Sequence, residues 1–381
     1  QMNEGSEIVE VGNVVYEVRQ PELRMIYRDY TDEDGRITVL GTTAREKGSQ
    51  RILVGTSTGR VFLHDPFGEV SAEEKKVFRD LERRAISSVG GWKAKNWDTK
   101  EMQYFVYVQV RTLGVALFKD FSTCPLVVGG RRIYFEFMYM VASDHHGFCP
   151  CRSYERCIYI PTSEPIMWAF KDNERNPFRL ENEKAPMCMD VLADCPVVGG
   201  EDGTVAIYCY DTTKADGTLK ISKIKKIFDN PIFSIVVYGL INCSIIVGSV
   251  GHPIKVLDPK TLAVKQEIPF PASARGCGAL TYTWFSPKDD KKVFIAGFWD
   301  GSIRIYREQK DGSFVEKHVI DTLPHYGEHK STTSLVWMIE DNLFAACEDG
   351  NLYSYEILKT RRLNKEEKEE YLRKKKESIK E

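Results

Sequence analysis

Five residues of the kinds that bind zinc, His145, His146, Cys149, Cys151 and Cys157, fall within thirteen positions of one another. Thiolate and imidazole are the donors zinc selects, and a structural site holds four of them in a tetrahedron. The spacing weighs against such a site. Only Pro150 separates Cys149 from Cys151, where paired cysteine ligands usually have about two to four residues between them. The expectation is a loop with soft, partly buried thiols and no metal, with zinc on these five residues as the alternative.

Catalytic patterns are scarce. No phosphate-binding Walker loop, dinucleotide fingerprint or His-Glu-x-x-His motif occurs. The sharpest acidic positions, Glu201-Asp202, Asp300 and Glu348-Asp349, each stand directly before a glycine, where an acid already serves turn chemistry. The chain is therefore read as a non-enzyme, with no catalytic residue and no cofactor.

Phosphate contacts are a third chemistry. Lys220, Lys223, Lys225 and Lys226 cluster in one segment, Arg131-Arg132 in another, and Arg361, Arg362, Arg373, Lys374, Lys375 and Lys376 near the end of the sequence. Such clusters can neutralise nucleic-acid phosphates. However, the terminal cluster is interleaved with six glutamates, as on a solvated helix, and the formal net charge is −2. Nucleic acid is a partner the sequence allows but does not favour.

Composition sets the class. Hydrophobic residues make up 42% and charged residues 28% of 381, the balance of a globular protein able to bury a large core. No apolar run reaches the roughly 18 residues that suggest a membrane span, and the first residues lack the basic and apolar regions of a secretory signal. Most of the ten cysteines, such as Cys188, Cys209, Cys243 and Cys347, lie inside apolar runs, where a free thiol behaves as a small hydrophobe. A reduced cytoplasmic or nuclear protein is expected, without membrane contact.

The elements that must position all of these residues are hairpins. In Lys292 to Arg307, an apolar run turns at Asp300-Gly301 into a second run of β-branched and aromatic residues, a strong hairpin signal because glycine supplies the positive φ of a tight turn. Equivalent turns fall at Gly59, Gly114, near Ser163, and at Gly203, Gly251 and Gly350. Five of the six spacings lie between 48 and 55 residues; the short one, from 163 to 203, follows a degenerate copy. Four short strands with their loops fill such a period.

A further strand is expected before each hairpin: residues 36–42, 86–90, 134–141, 187–192, 232–238, 279–285 and 334–339. Weaker fourth strands follow at 262–268 and 313–320. Residues 8–18 carry strand-like sequence before the first unit and are expected to complete the last one, so that no sheet edge stays open. Residues 66–85 read as an inserted helix. Residues 359–381 read as a charged helix opened by a capping box, Asn364 with Glu367, with glutamates early and Arg373 to Lys376 late to suit the helix dipole.

Over residues 8–358 the chain resembles the WD40-like β-propeller family in period, strand pattern and acidic-glycine turns. The terminal Trp-Asp of that family is replaced by His64-Asp65, Lys119-Asp120, Leu257-Asp258, Tyr306-Arg307 and Tyr355-Glu356, and Trp299-Asp300 lies in a turn instead. The resemblance implies an all-β fold, one seven-bladed propeller (1–358) followed by the helical tail (359–381). It also implies that the turns and loops at one end of the ring grip partners. Glu201, Asp202, Phe298, Trp299, Asp300, Glu348 and Asp349 would lie there, joined by His325 and Tyr326. Acids beside exposed aromatics suit a basic or methylated peptide. The expected role is a protein-binding scaffold in a multi-subunit complex.

Overall fold

Val293 to Phe298 is buried at every residue, and a strand covered on both faces must be sandwiched between neighbouring sheets. The computed structural model shows that arrangement repeated. It describes residues 7–11, 14–18, 22–24, 35–44, 50–64, 83–95, 99–122, 124, 126–142, 149–155, 157–162, 166–171, 174–179, 185–213, 219–239, 243–286, 291–320, 332–338, 342–348, 352–356 and 360–378.

The first sheet is Ile37–Thr42, Ile52–Thr56 and Val61–His64, and the second is Ile86–Lys95, Met102–Val110, Gly114–Asp120 and Phe135–Ala142. The third is Arg152–Tyr154, Cys157–Pro161, Ile166–Lys171 and Glu174–Arg179. The fourth follows as Pro186–Leu192, Cys195–Gly200, Thr204–Tyr210 and Leu219–Lys226, and the fifth as Ile232–Tyr238, Ser244–Ser249, Ile254–Leu257 and Val264–Ile268. The sixth is Cys277–Ser286, Lys291–Phe298, Ile303–Glu308 and Phe314–Ile320. The seventh takes Thr332–Met338, Asn342–Cys347 and Leu352–Glu356 from the end of the chain and Glu22–Arg24 from its start.

Each sheet is an antiparallel meander, and the first strand of each packs on the first strand of the next, from the first sheet round to the seventh and back. The result is an all-β propeller with a short C-terminal helix. Apolar clusters fill the gaps between sheets. Trp92, Phe105 and Leu117 of the second sheet meet Ile158, Ile160 and Phe170 of the third, and Tyr238, Val256 and Ile268 of the fifth meet Phe294, Phe298 and Tyr306 of the sixth. Each such side chain contributes about 1.5–3 kcal/mol on burial, so packing between sheets holds the ring.

Several expectations change. Six sheets have four strands, and the first has three among the described residues. The helix expected over 66–85 lies outside the described residues, except for 83–85, which lead into the second sheet. The closing strand is Glu22–Arg24, paired with Leu352–Glu356, not residues 8–18. Those form a separate hairpin, Glu7–Val11 with Val14–Val18, extended by Thr360–Arg362. Arg361 and Arg362 therefore lie in a paired strand, ahead of the helix Lys365–Ser378.

The strand expected over 134–141 is also reassigned. Phe135–Ala142 pairs with Gly114–Asp120 as the outer strand of the second sheet, and the third sheet begins later, at Arg152–Tyr154. A two-stranded hairpin, Leu126–Val128 with Arg131–Ile133, is inserted just before that outer strand. It lengthens the second unit and leaves the third unit short.

Candidate functional site

The turn between the second and third strands of the sixth sheet is built by local chemistry. Gly301 adopts φ +86°, which costs a non-glycine residue about 1–2 kcal/mol. The Asp300 carboxylate accepts hydrogen bonds from the Ser302 backbone N–H at 2.9 Å and its hydroxyl at 2.7 Å. Asp300 and Ser302 are both buried, so this acid is spent on the turn. Phe298 is fully buried against Phe270 and under the Arg304 guanidinium. It belongs to the core between the fifth and sixth sheets, and its expected place on the binding surface is corrected.

Trp299 does reach the surface, being half-buried. Its backbone N–H donates to the Gly276 carbonyl at 3.1 Å, and its own carbonyl accepts from the exposed Arg275 guanidinium at 3.1 Å. The indole lies over Gly278. A Cβ there would stand 2.7 Å from the indole nitrogen, so glycine is required for the ring to sit flat on the strand. The indole also meets Phe233 edge to face, with centroids 5.3 Å apart and planes at 72°, a favoured geometry for aromatic pairs.

Phe233 occupies a β-bulge. The pairing of the fifth sheet's first two strands shifts between Ile232 and Ser234, and equivalent shifts occur at Thr38, Ser87, Met187, Gly278 and Thr333. A bulge re-aims the side chain it carries. Among the described residues, only the three-residue first strand of the third sheet lacks a shift. Sequence reading missed Phe233 and Gly278, because a bulge is a property of pairing; the Gly276-Cys277-Gly278 spacing was the one local signal.

The other expected residues divide. Glu201 and Glu348 are exposed in the matching turns of the fourth and seventh sheets, while the Asp202 carboxylate accepts from the Thr204 N–H at 3.1 Å. Asp349, His325 and Tyr326 lie outside the described residues. Arg373, Lys374, Lys375 and Lys376 are exposed on the C-terminal helix.

The zinc alternative is not supported by the described residues. His145 and His146 lie outside them, and Cys149, Cys151 and Cys157 are buried. Cys149 and Cys157 enter the core between the third and fourth sheets, Cys151 the core between the second and third. Burial pushes the Cys149 thiol up to about 12, which disfavours the thiolate a metal needs. No group of three or more His, Cys, Asp or Glu able to hold a metal occurs among the described residues.

Gly55-Thr56-Ser57-Thr58-Gly59 spells the Gly-x-Ser-x-Gly pattern of a hydrolase nucleophile. That motif works at a strand-to-helix elbow, whereas here it joins two strands of the first sheet, and the Ser57 hydroxyl accepts from the Arg36 N–H at 3.0 Å. It is a hairpin turn.

No family model matches the chain, and no curated protein matches it in sequence. Solved structures do match in shape. The WD40 β-propeller domain of Doa1 superposes with a TM-score of 0.57 at 13% identity, covering 88% of this chain and 97% of that one. The fold is a WD40-like β-propeller. Raptor from Chaetomium thermophilum superposes with a TM-score of 0.63 at 9% identity, over 91% of this chain but only 30% of the Raptor chain. The computationally designed Ika8 protein gives 0.50 at 12% identity over 84% of this chain. At these identities the likeness establishes the fold alone. No helix among the described residues is long and apolar enough to cross a membrane.

Proposed function

We propose that this WD40-like propeller is a non-catalytic scaffold subunit of a larger cytoplasmic or nuclear complex, binding other proteins through the loop end that carries Trp299. The observation behind this reading is the Trp299–Phe233 pair, two large half-buried aromatics at the junction of the fifth and sixth sheets. Neither is needed to shape a turn, and both offer apolar area at little entropic cost, as binding anchors do. The first sheet is read as a seventh blade, because its first strand packs between those of the second and seventh sheets.

Affinity purification of the full chain from its native cells, followed by mass spectrometry, tests this reading. Wild type is expected to retain a defined set of proteins, and Trp299→Ala with Phe233→Ala to lose those held at this end while keeping the fold by circular dichroism. Recovery of a bare monomer with turnover activity overturns the reading.

A finer version makes the ligand a basic or methylated peptide. Exposed Glu348 on the turn of the adjoining seventh sheet, exposed Glu201 on that of the fourth and the indole face favour it, while Arg275 beside Trp299 opposes it. Binding of a trimethyl-lysine peptide that is lost in Trp299→Ala would carry it. The nucleic-acid version has less support: Lys220 pairs with Asp211 at 3.2 Å and Lys226 with Asp229 at 3.6 Å. It requires binding that falls steeply with salt and is lost when residues 359–381 are deleted.

A further inference from the structure

We propose that Cys195 and Cys209 are a modification site, closing into a reversible disulfide across the second and third strands of the fourth sheet. The pairing of these strands runs Val197 with Ile207 and Val198 with Ala206. Carried two residues outward, it sets Cys195 directly opposite Cys209. Opposed residues in an antiparallel pair have Cα atoms about 4.5–5.5 Å apart, inside the roughly 4.4–6.8 Å span a disulfide accepts. The two sulfurs stand 2.6 Å apart, close to the roughly 2.05 Å of a disulfide bond, so closure needs little backbone movement.

Access separates this pair from the six buried thiols, though Cys124 is exposed and Cys243 half-exposed, and proximity separates it from those two. Cys149, Cys151, Cys157, Cys188, Cys277 and Cys347 are buried, whereas Cys195 and Cys209 are half-exposed. The hairpin holding Cys195 is defined by its turn and one cross-sheet hydrogen bond. Ala193 and Asp194 both adopt left-handed conformations, φ 44° and 66°, as a two-residue turn between strands demands, and the Tyr159 hydroxyl donates to the Asp194 carbonyl at 3.0 Å. Burial pushes the Cys195 thiol up to about 12, with Lys223 acting in the opposite direction. The Cys195 thiol is thus slow to react at neutral pH and well placed once it does.

With glutathione disulfide as oxidant, one cysteine thiolate attacks a glutathione sulfur and releases the first glutathione thiolate. The second cysteine thiolate then attacks the protein-bound sulfur of the mixed disulfide and releases the second. Two cysteine protons are lost, one protein S–S bond forms, and the glutathione S–S bond is reduced to two thiols.

The test treats the full chain with glutathione disulfide, blocks free thiols by alkylation, and maps disulfides by mass spectrometry. The expected product is a Cys195–Cys209 link lighter than the dithiol by two hydrogen atoms, restored by dithiothreitol. It should form about tenfold faster for each pH unit above neutrality while the thiolate is scarce. The link should persist in Cys124→Ser and vanish in Cys209→Ser. Three results overturn the proposal: both cysteines alkylated while Cys124 carries glutathione, stable mixed disulfides that never close, or Cys195 linked to another cysteine.

Discussion

The third and sixth sheets are built on one hairpin plan but held in place differently. The sixth has strong local devices: Asp300 caps Ser302, Gly301 supplies the left-handed residue, and its first strand runs the ten residues Cys277–Ser286. The third has a first strand of three residues, Arg152–Tyr154, and leans on its neighbour. The Cys151 N–H donates to Ser88 Oγ at 3.0 Å and Gln109 Oε1 at 3.1 Å, Gln109 Nε2 donates to the Cys149 carbonyl at 3.3 Å, and the Tyr107 hydroxyl to the Cys151 carbonyl at 3.2 Å. All of these donors but Cys151 belong to the second sheet. Polar bonds to the neighbouring sheet also reach the sixth, from Ser234 Oγ to the Cys277 carbonyl at 3.0 Å and between Gln266 and Phe314 at 2.8 Å, but the three-residue first strand of the third has its polar network beside little local chemistry of its own.

The contrast can be broken by substitution. Gln109→Leu removes the hub of the network and leaves the Cys149 carbonyl unpaired in the core. It should cost about 3 kcal/mol, read as a lower urea midpoint with unchanged slope. Asp300→Ala strands the Ser302 N–H and hydroxyl but leaves every bond between sheets intact. About 1–2 kcal/mol is expected. If Asp300→Ala proves the costlier, local turn chemistry is the stronger device and the comparison fails.

Asn364→Ala removes one half of a reciprocal cap. The Glu367 N–H donates to Asn364 Oδ1 and the Asn364 N–H to Glu367 Oε2, both at 2.9 Å. About 1 kcal/mol of local helix stability should go, seen as faster amide exchange over 365–378 with the propeller's melting unchanged. The smallest effect is electrostatic. Hydrogen bonds from Thr213, then Lys220, hold the Asp211 carboxyl down to about 2. A depressed carboxylate stabilises the fold above its unfolded pKa, about 3.9, and loses that effect as pH falls towards 2. The urea midpoints of wild type and Asp211→Asn should therefore differ at neutral pH and converge in acid.

Much of this plan was legible in the residues. Gly59, Gly114, Gly203, Gly251 and Gly301 all have positive φ, and the Asn364–Glu367 box forms as its spacing requires. These are short-range effects, set by what each residue and its near neighbours allow. Long-range partners were not legible. Residues 134–141 read as a strand without saying which sheet they edge, and residues 8–18 read as the strand that closes the ring where Glu22–Arg24 does so, because strand propensity carries no address.

The candidate site shows the same division. Trp299 could be picked out as an aromatic that its turn does not need, but Phe298 beside it looked equivalent. Alternation along the chain sends one into the core and the other over Gly278, and which face is the core depends on the neighbouring sheet. The sequence alone determined the turns, the strands, their period and the helix cap. The tertiary structure decided the closing strand, the Trp299–Phe233 contact and the meeting of Cys195 with Cys209, since each requires segments that only pairing and packing bring together.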